Sequence, residues 1–116
     1  MEEQKGYSVK ITPDAEIYFL QLQNYLYAHN SRESIQRNVD KILDVAFSLN
    51  NNPYRGRLED NLINLGMRHR FVLCKLSKRK DVKIIYFIEE TIKTVFITDF
   101  FLTEMDDKKI TFRSNP

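Results

Sequence analysis

The chain's most chemically loaded spacing lies in GMRHRFVLCKL, where Arg68 and Arg70 flank His69 and Lys75 follows. A guanidinium stays protonated at any physiological pH and presents a rigid fork of donors. Arg68 and Arg70 therefore fit phosphate clamping and transition-state charge, and are poor bases. In a strand the side chains alternate, so the two arginines are expected on one side and His69 on the other. His69 is read as a partly buried, hydrogen-bonded histidine rather than a catalytic base. The surroundings are basic: residues 53–83 carry nine Lys/Arg (Arg55, Arg57, Arg68, Arg70, Lys75, Lys78, Arg79, Lys80, Lys83) against three acids (Glu59, Asp60, Asp81). That local excess of six, in a chain of net charge +2, leaves −4 for the remainder. Such asymmetry is the electrostatic signature of a surface that meets phosphates or an acidic protein.

Length and composition bound what can carry this patch. The 116 residues, 42% apolar and 29% charged, fit one globular domain over 1–116. No apolar run approaches the roughly 20 residues of a membrane span. The opening MEEQKG lacks the apolar stretch of a signal peptide, and the expected location is cytoplasmic. The single cysteine, Cys74, rules out an internal disulfide and is read as a small buried apolar residue. No metal or cofactor is expected.

The elements that must position the patch follow from periodicity. Tyr7, Val9 and Ile11 alternate with polar residues in a short strand over 7–12. Thr12-Pro13-Asp14 opens a helix, with Thr12 as cap and Asp14 and Glu16 at the positive end of the dipole. Its stripe is Ala15, Phe19, Leu22 and Leu26, ending near Ala28. Asn30 or Ser31 caps a second helix with the stripe Ile35, Val39, Ile42, Ala46 and Leu49, and Asn50-Asn51-Asn52-Pro53 ends it. Residues 54–65 read as a loop turning at Gly56 and pinned by Leu58, Leu62, Ile63 and Leu65. Three apolar runs between Gly66 and Leu102, joined by connections too short for a crossover, read as an antiparallel meander. The middle run is apolar on both faces (Val82, Ile84, Tyr86 and Ile88 against Ile85 and Phe87), so it belongs in the sheet interior. Helices cover one side. The C-terminal tail, a second copy or a partner must shield part of the other.

The stretches YSVKITPDAEIYFLQLQNYL, SLNNNPYRGR, LGMRHRFV and VKIIYFIEETIKTVFI, in that order, resemble the RelE/ParE superfamily of bacterial toxins over about residues 7–102. The resemblance implies an α+β fold: an N-terminal strand and an antiparallel helical hairpin packed on a three- to four-stranded, largely antiparallel sheet, with a polar tail over 103–116. It also implies the toxin of a type II toxin–antitoxin (plasmid stabilisation) system, neutralised by a cognate antitoxin. RelE-like members cut messenger RNA in the ribosomal A site, whereas ParE-like members inhibit DNA gyrase. As a nuclease the chain would use Arg68, Arg70 and Lys75 as catalytic residues. As a binder it would meet its target through Arg55, Arg57, Arg68 and Arg70, with Lys78, Arg79, Lys80 and Lys83 beside them. Where nuclease members carry His or Arg followed by Tyr near the last strand, this chain has Asp99-Phe100-Phe101. Phenylalanine cannot pass a proton, which favours the gyrase-type reading over the nuclease. A non-toxic interaction module of the same fold is the third alternative.

Overall fold

The computed structural model describes residues 6–29, 31–103 and 110. Strand β1 (Ser8–Ile11) leads into helix α1 (Pro13–His29) and helix α2 (Arg32–Phe47). Four strands follow: β2 (Arg57–Leu58), β3 (Arg70–Lys75), β4 (Asp81–Glu89) and β5 (Thr94–Leu102). They form one mixed sheet in the order β1-β5-β4-β3-β2, with β1 parallel to β5 and every other pair antiparallel. The architecture is α+β as expected, but the sheet has five strands rather than three or four. The extra strand comes from the presumed loop over 54–65. Two residues, Arg57 and Leu58, pair with Phe71 and Arg70, too short a run to leave a periodic signal.

Both helices begin where side chains satisfy their first N–H groups. The Ala15 N–H donates to Thr12 Oγ1 at 3.2 Å, and the Ser34 N–H to Ser31 Oγ at 3.2 Å. Asn30, the other candidate cap, lies outside the described residues. The expected stripes face the sheet: Ala15, Leu22, Leu26, Ile35, Val39, Ile42, Ala46 and Leu49 are buried against Cys74, Val82, Ile84, Tyr86, Val95, Ile97 and Phe100. Phe19 lies against Phe100 with ring centroids 4.7 Å apart. Each large apolar side chain buried this way contributes about 1.5–3 kcal/mol. Strand β4 sits between β3 and β5 and buries residues on both faces, as its two-sided apolar pattern required. A bulge at Ile85/Tyr86 restores the alternation of β5, placing Ile97 rather than Thr98 opposite Tyr86.

The other face is covered at one end by the chain itself. Leu62, from a 3-10 turn over Asp60–Leu65, and Ile110 pack with Ile85 and Phe101. Leu58 and Ile63, expected to pin the loop, are exposed instead. The expected tail over 103–116 otherwise lies outside the described residues apart from Thr103. Among the described residues, no helix is long and apolar enough to cross a membrane.

Candidate functional site

The site is built around a close approach. Gly56 does not turn the chain; its φ is −75°, which any residue adopts. Its lack of a side chain is what matters. A Cβ there would run into the Tyr86 hydroxyl and come 2.8 Å from the Phe71 carbonyl oxygen. Tyr86 is fully buried, and its hydroxyl donates to the Pro53 carbonyl. Burial holds this phenol above its ordinary pKa, so it remains a donor. The segment Pro53–Gly56 is thereby hung on β4, across the end of α2.

Arg70 is opposite Tyr86 in the sheet and bonds the same segment. Its Nη1 donates to the Gly56 carbonyl at 2.8 Å and more weakly to that of Tyr54 at 3.4 Å. The guanidinium carbon lies 5.2 Å from the Tyr54 ring centroid, a cation–π contact. Arg55 is also anchored to neutral oxygens. Its Nη2 donates to Ser48 Oγ at 2.6 Å and its Nη1 to the Ser48 carbonyl at 3.2 Å, at the negative end of α2. No carboxylate among the described residues forms a salt bridge with either arginine. Their positions are fixed while their charge stays uncompensated.

Arg57 and Arg68 are exposed and form no salt bridge among the described residues. Arg68 departs from the expectation that it shares a face with Arg70 by strand alternation. It precedes β3 and has φ 56°, in the left-handed region that arginine rarely adopts. Period-two geometry therefore does not apply to it. A cleft of about 430 Å³ opens beside this corner, lined by Arg55, Gly56, Arg57, Val45 and the β3 residues Phe71–Leu73.

A second group buttresses the corner from below. Glu90, in the turn before β5, accepts from the Tyr54 hydroxyl at 2.6 Å, from Tyr7 at 3.1 Å and from Lys93 Nζ at 2.6 Å. The Lys93 ammonium, then the Tyr54 hydroxyl, hold the Glu90 carboxyl down at about 2. Glu90 in turn raises Tyr54 and Lys93 above their ordinary values. A carboxylate so depressed is a weak base and a phenol so raised a reluctant acid. The group holds the ring on which Arg70 lies; it is ill suited to proton transfer.

The remaining expected residues do not gather here. Lys83 is half-buried and bonded to the buried Glu59 at 2.9 Å, with its ammonium 4.4 Å from the Phe71 ring centroid. Burial acts to raise Glu59, but hydrogen bonds from Lys83 and Asn61 outweigh it, and its pKa is lowered overall. Lys83 is thus neutralised from within, which removes it from the contact surface expected of it. Lys75 sits at the far end of β3, about 17 Å from Arg70 at roughly 3.4 Å per residue. It stands 3.7 Å from Asp81, exposed to solvent. Lys78, Arg79 and Lys80 belong to the β3–β4 hairpin at that same end. One basic stretch in the sequence has become two patches.

His69 is buried, as expected, but its Nδ1 has no hydrogen-bond partner. Its ring meets Phe87 edge-on at 5.4 Å. Burial lowers its pKa, opposed by the charge of Glu59, so it is neutral at neutral pH. Cys74 is buried and its thiol is raised by burial, an inert apolar residue as read. No group of three or more His, Cys, Asp or Glu among the described residues could hold a metal ion. Sequence reading missed Ser48, Tyr54, Tyr86 and Glu90 as anchors of the arginine corner. The one available signal was Tyr86, a hydroxyl on the otherwise aliphatic face formed by Val82, Ile84 and Ile88. Comparison with family models gives no match, and comparison with curated proteins gives none either.

Proposed function

We propose that this protein is a growth-inhibiting toxin of the RelE/ParE type, held in check by a cognate antitoxin, that acts by binding rather than by cleavage. Its working surface centres on the anchored guanidiniums of Arg55 and Arg70, with the exposed Arg57 and Arg68 contributing from β2 and the segment before β3. Its target is a negatively charged surface on a nucleic-acid-processing machine such as DNA gyrase. The observation that carries the reading is the anchoring of Arg55 and Arg70 by neutral oxygens. Preorganised donors lose little freedom on binding, and uncompensated charge steers an anionic partner towards them.

The nuclease alternative draws less support from the geometry. Arg70 and Lys75 stand at opposite ends of β3 and, five residues apart, on opposite faces. They cannot surround one phosphate. The carboxylate that shares Tyr54 with Arg70 is the strongly depressed Glu90, a weak base.

Inducing the protein in a bacterium that lacks the antitoxin tests this reading. Growth arrest with intact transcripts is expected, and Arg55→Gln with Arg70→Gln should relieve it while circular dichroism stays unchanged. Unimpaired growth on induction removes the toxin reading. In-frame transcript cuts at the ribosomal A site would establish the nuclease in its place.

A further inference from the structure

A second polar cleft, of about 310 Å³, lies where the first turns of α2 meet the β3–β4 hairpin. Its polar lining is Ser34, Arg37 and Asn38 from the helix and Ser77 and Lys80 from the hairpin. The volume is about ten times the roughly 30 Å³ share of one water, so a small ion and its first waters fit. No acidic side chain lines it.

The two cations are positioned by groups other than carboxylates. Arg37 Nη2 donates to Ser34 Oγ at 3.3 Å, which brings the guanidinium back along its own helix. Lys80 lies with its ammonium 5.1 Å from the Tyr25 ring centroid. The hairpin is closed by the Leu76 and Ser77 N–H groups donating to the Lys80 carbonyl, at 2.8 and 3.2 Å. The neighbouring acid, Asp81, is the one that faces Lys75. Arg37 and Lys80 therefore bring two positive charges to one small cleft, with two hydroxyls and an amide around them.

We infer that this cleft is a binding site for a phosphate group. A guanidinium fork takes two oxygens, an ammonium takes a third as a point charge, and hydroxyl and amide donors complete a tetrahedral acceptor from several sides. A planar carboxylate would leave half of these donors unused. The phosphate is either a monoester or free ion, or a diester in a nucleic-acid backbone. The site belongs to the hairpin patch and stands independently of the arginine corner.

The test is titration of the full chain with inorganic phosphate at constant ionic strength, followed by amide and guanidinium NMR signals. Saturable shifts are expected at Ser34, Arg37, Asn38, Ser77 and Lys80. Arg37→Gln and Lys80→Gln should each weaken binding about tenfold, the low end for a lost charge-assisted hydrogen bond. Arg37→Lys should recover part of that loss, and the Arg55→Gln, Arg70→Gln double variant should bind phosphate as the parent does. Competition by an oligonucleotide without terminal phosphates assigns the site to backbone diesters. Competition by a nucleoside monophosphate alone assigns it to monoesters. Linear shifts without saturation, equal shifts with chloride, or an Arg37→Gln variant that binds normally would overturn the site. Loss of growth arrest in the Arg55, Arg70 variant bears on the arginine corner and leaves this result untouched.

Discussion

Arg70 and Lys83 stand on adjacent strands, against the same stretch of preceding chain, yet they end in opposite electrostatic states. Lys83 meets a carboxylate that is 2% exposed, and its charge is cancelled inside the molecule. Arg70 meets two carbonyl oxygens and an aromatic face, which orient it and leave its charge intact. A cation held by an acid is part of the framework; a cation held by neutral groups remains available to a partner. The difference depends on what the intervening loop places beside each one, not on the charge count of the segment.

The contrast is broken most directly at Lys83. Lys83→Met leaves Glu59 buried without its cation and is expected to cost about 3–5 kcal/mol in denaturant unfolding. The deficit should shrink as pH falls, beginning above the ordinary glutamate range, because burial without the cation raises the Glu59 carboxyl in the variant and it takes up its proton early. Arg70→Met is expected to cost about 1 kcal/mol, since it removes hydrogen bonds to neutral carbonyls and strands no charge. Equal losses in the two variants would erase the distinction.

Gly56→Ala sharpens it. The new Cβ would displace the Tyr86 hydroxyl or the Phe71 carbonyl, an overpacking expected to cost about 1–3 kcal/mol and to loosen the segment that orients Arg70. Target binding should then fall by more than stability alone explains.

The smallest effect is the pH response of the Glu90 group. Its folded pKa of about 2 lies below that of an unfolded glutamate, so the unfolded chain binds the proton first as pH falls. The contribution is complete above about pH 4.5 and disappears towards pH 2. Melting temperatures of the parent and Glu90→Gln should converge across that window. A constant gap between them would show that the carboxylate is not coupled to the fold.

The secondary structure was legible where periodicity extends over several residues. The two helical stripes, the two-sided β4 and the alternating β1 all follow from the spacing of apolar side chains. Strand β2 was not legible, because two residues have no period. The strand geometry expected of Arg68 failed because its left-handed backbone breaks the alternation. Gly56 was rightly marked as special but for the wrong reason; the contact that requires glycine comes from Tyr86, far along the chain. The site was legible only as an excess of positive charge. Whether a given lysine keeps that charge depends on partners such as Glu59, 24 positions from Lys83, which no local pattern reveals. Arg37 escaped notice because it sits on the solvent side of α2, apart from the basic stretch.

The parallel pairing of β1 with β5 also governs when the molecule comes into being. Ser8 finds its sheet neighbour in Thr94, and α1 packs on β5, the last strand among the described residues. A nascent chain can form its two helices early, but α1 has no complete floor until β5 has been made. A chain stopped before Thr94 therefore leaves β1 without its sheet partner and the inner face of α1 uncovered, so the fold closes only when its first and last strands meet.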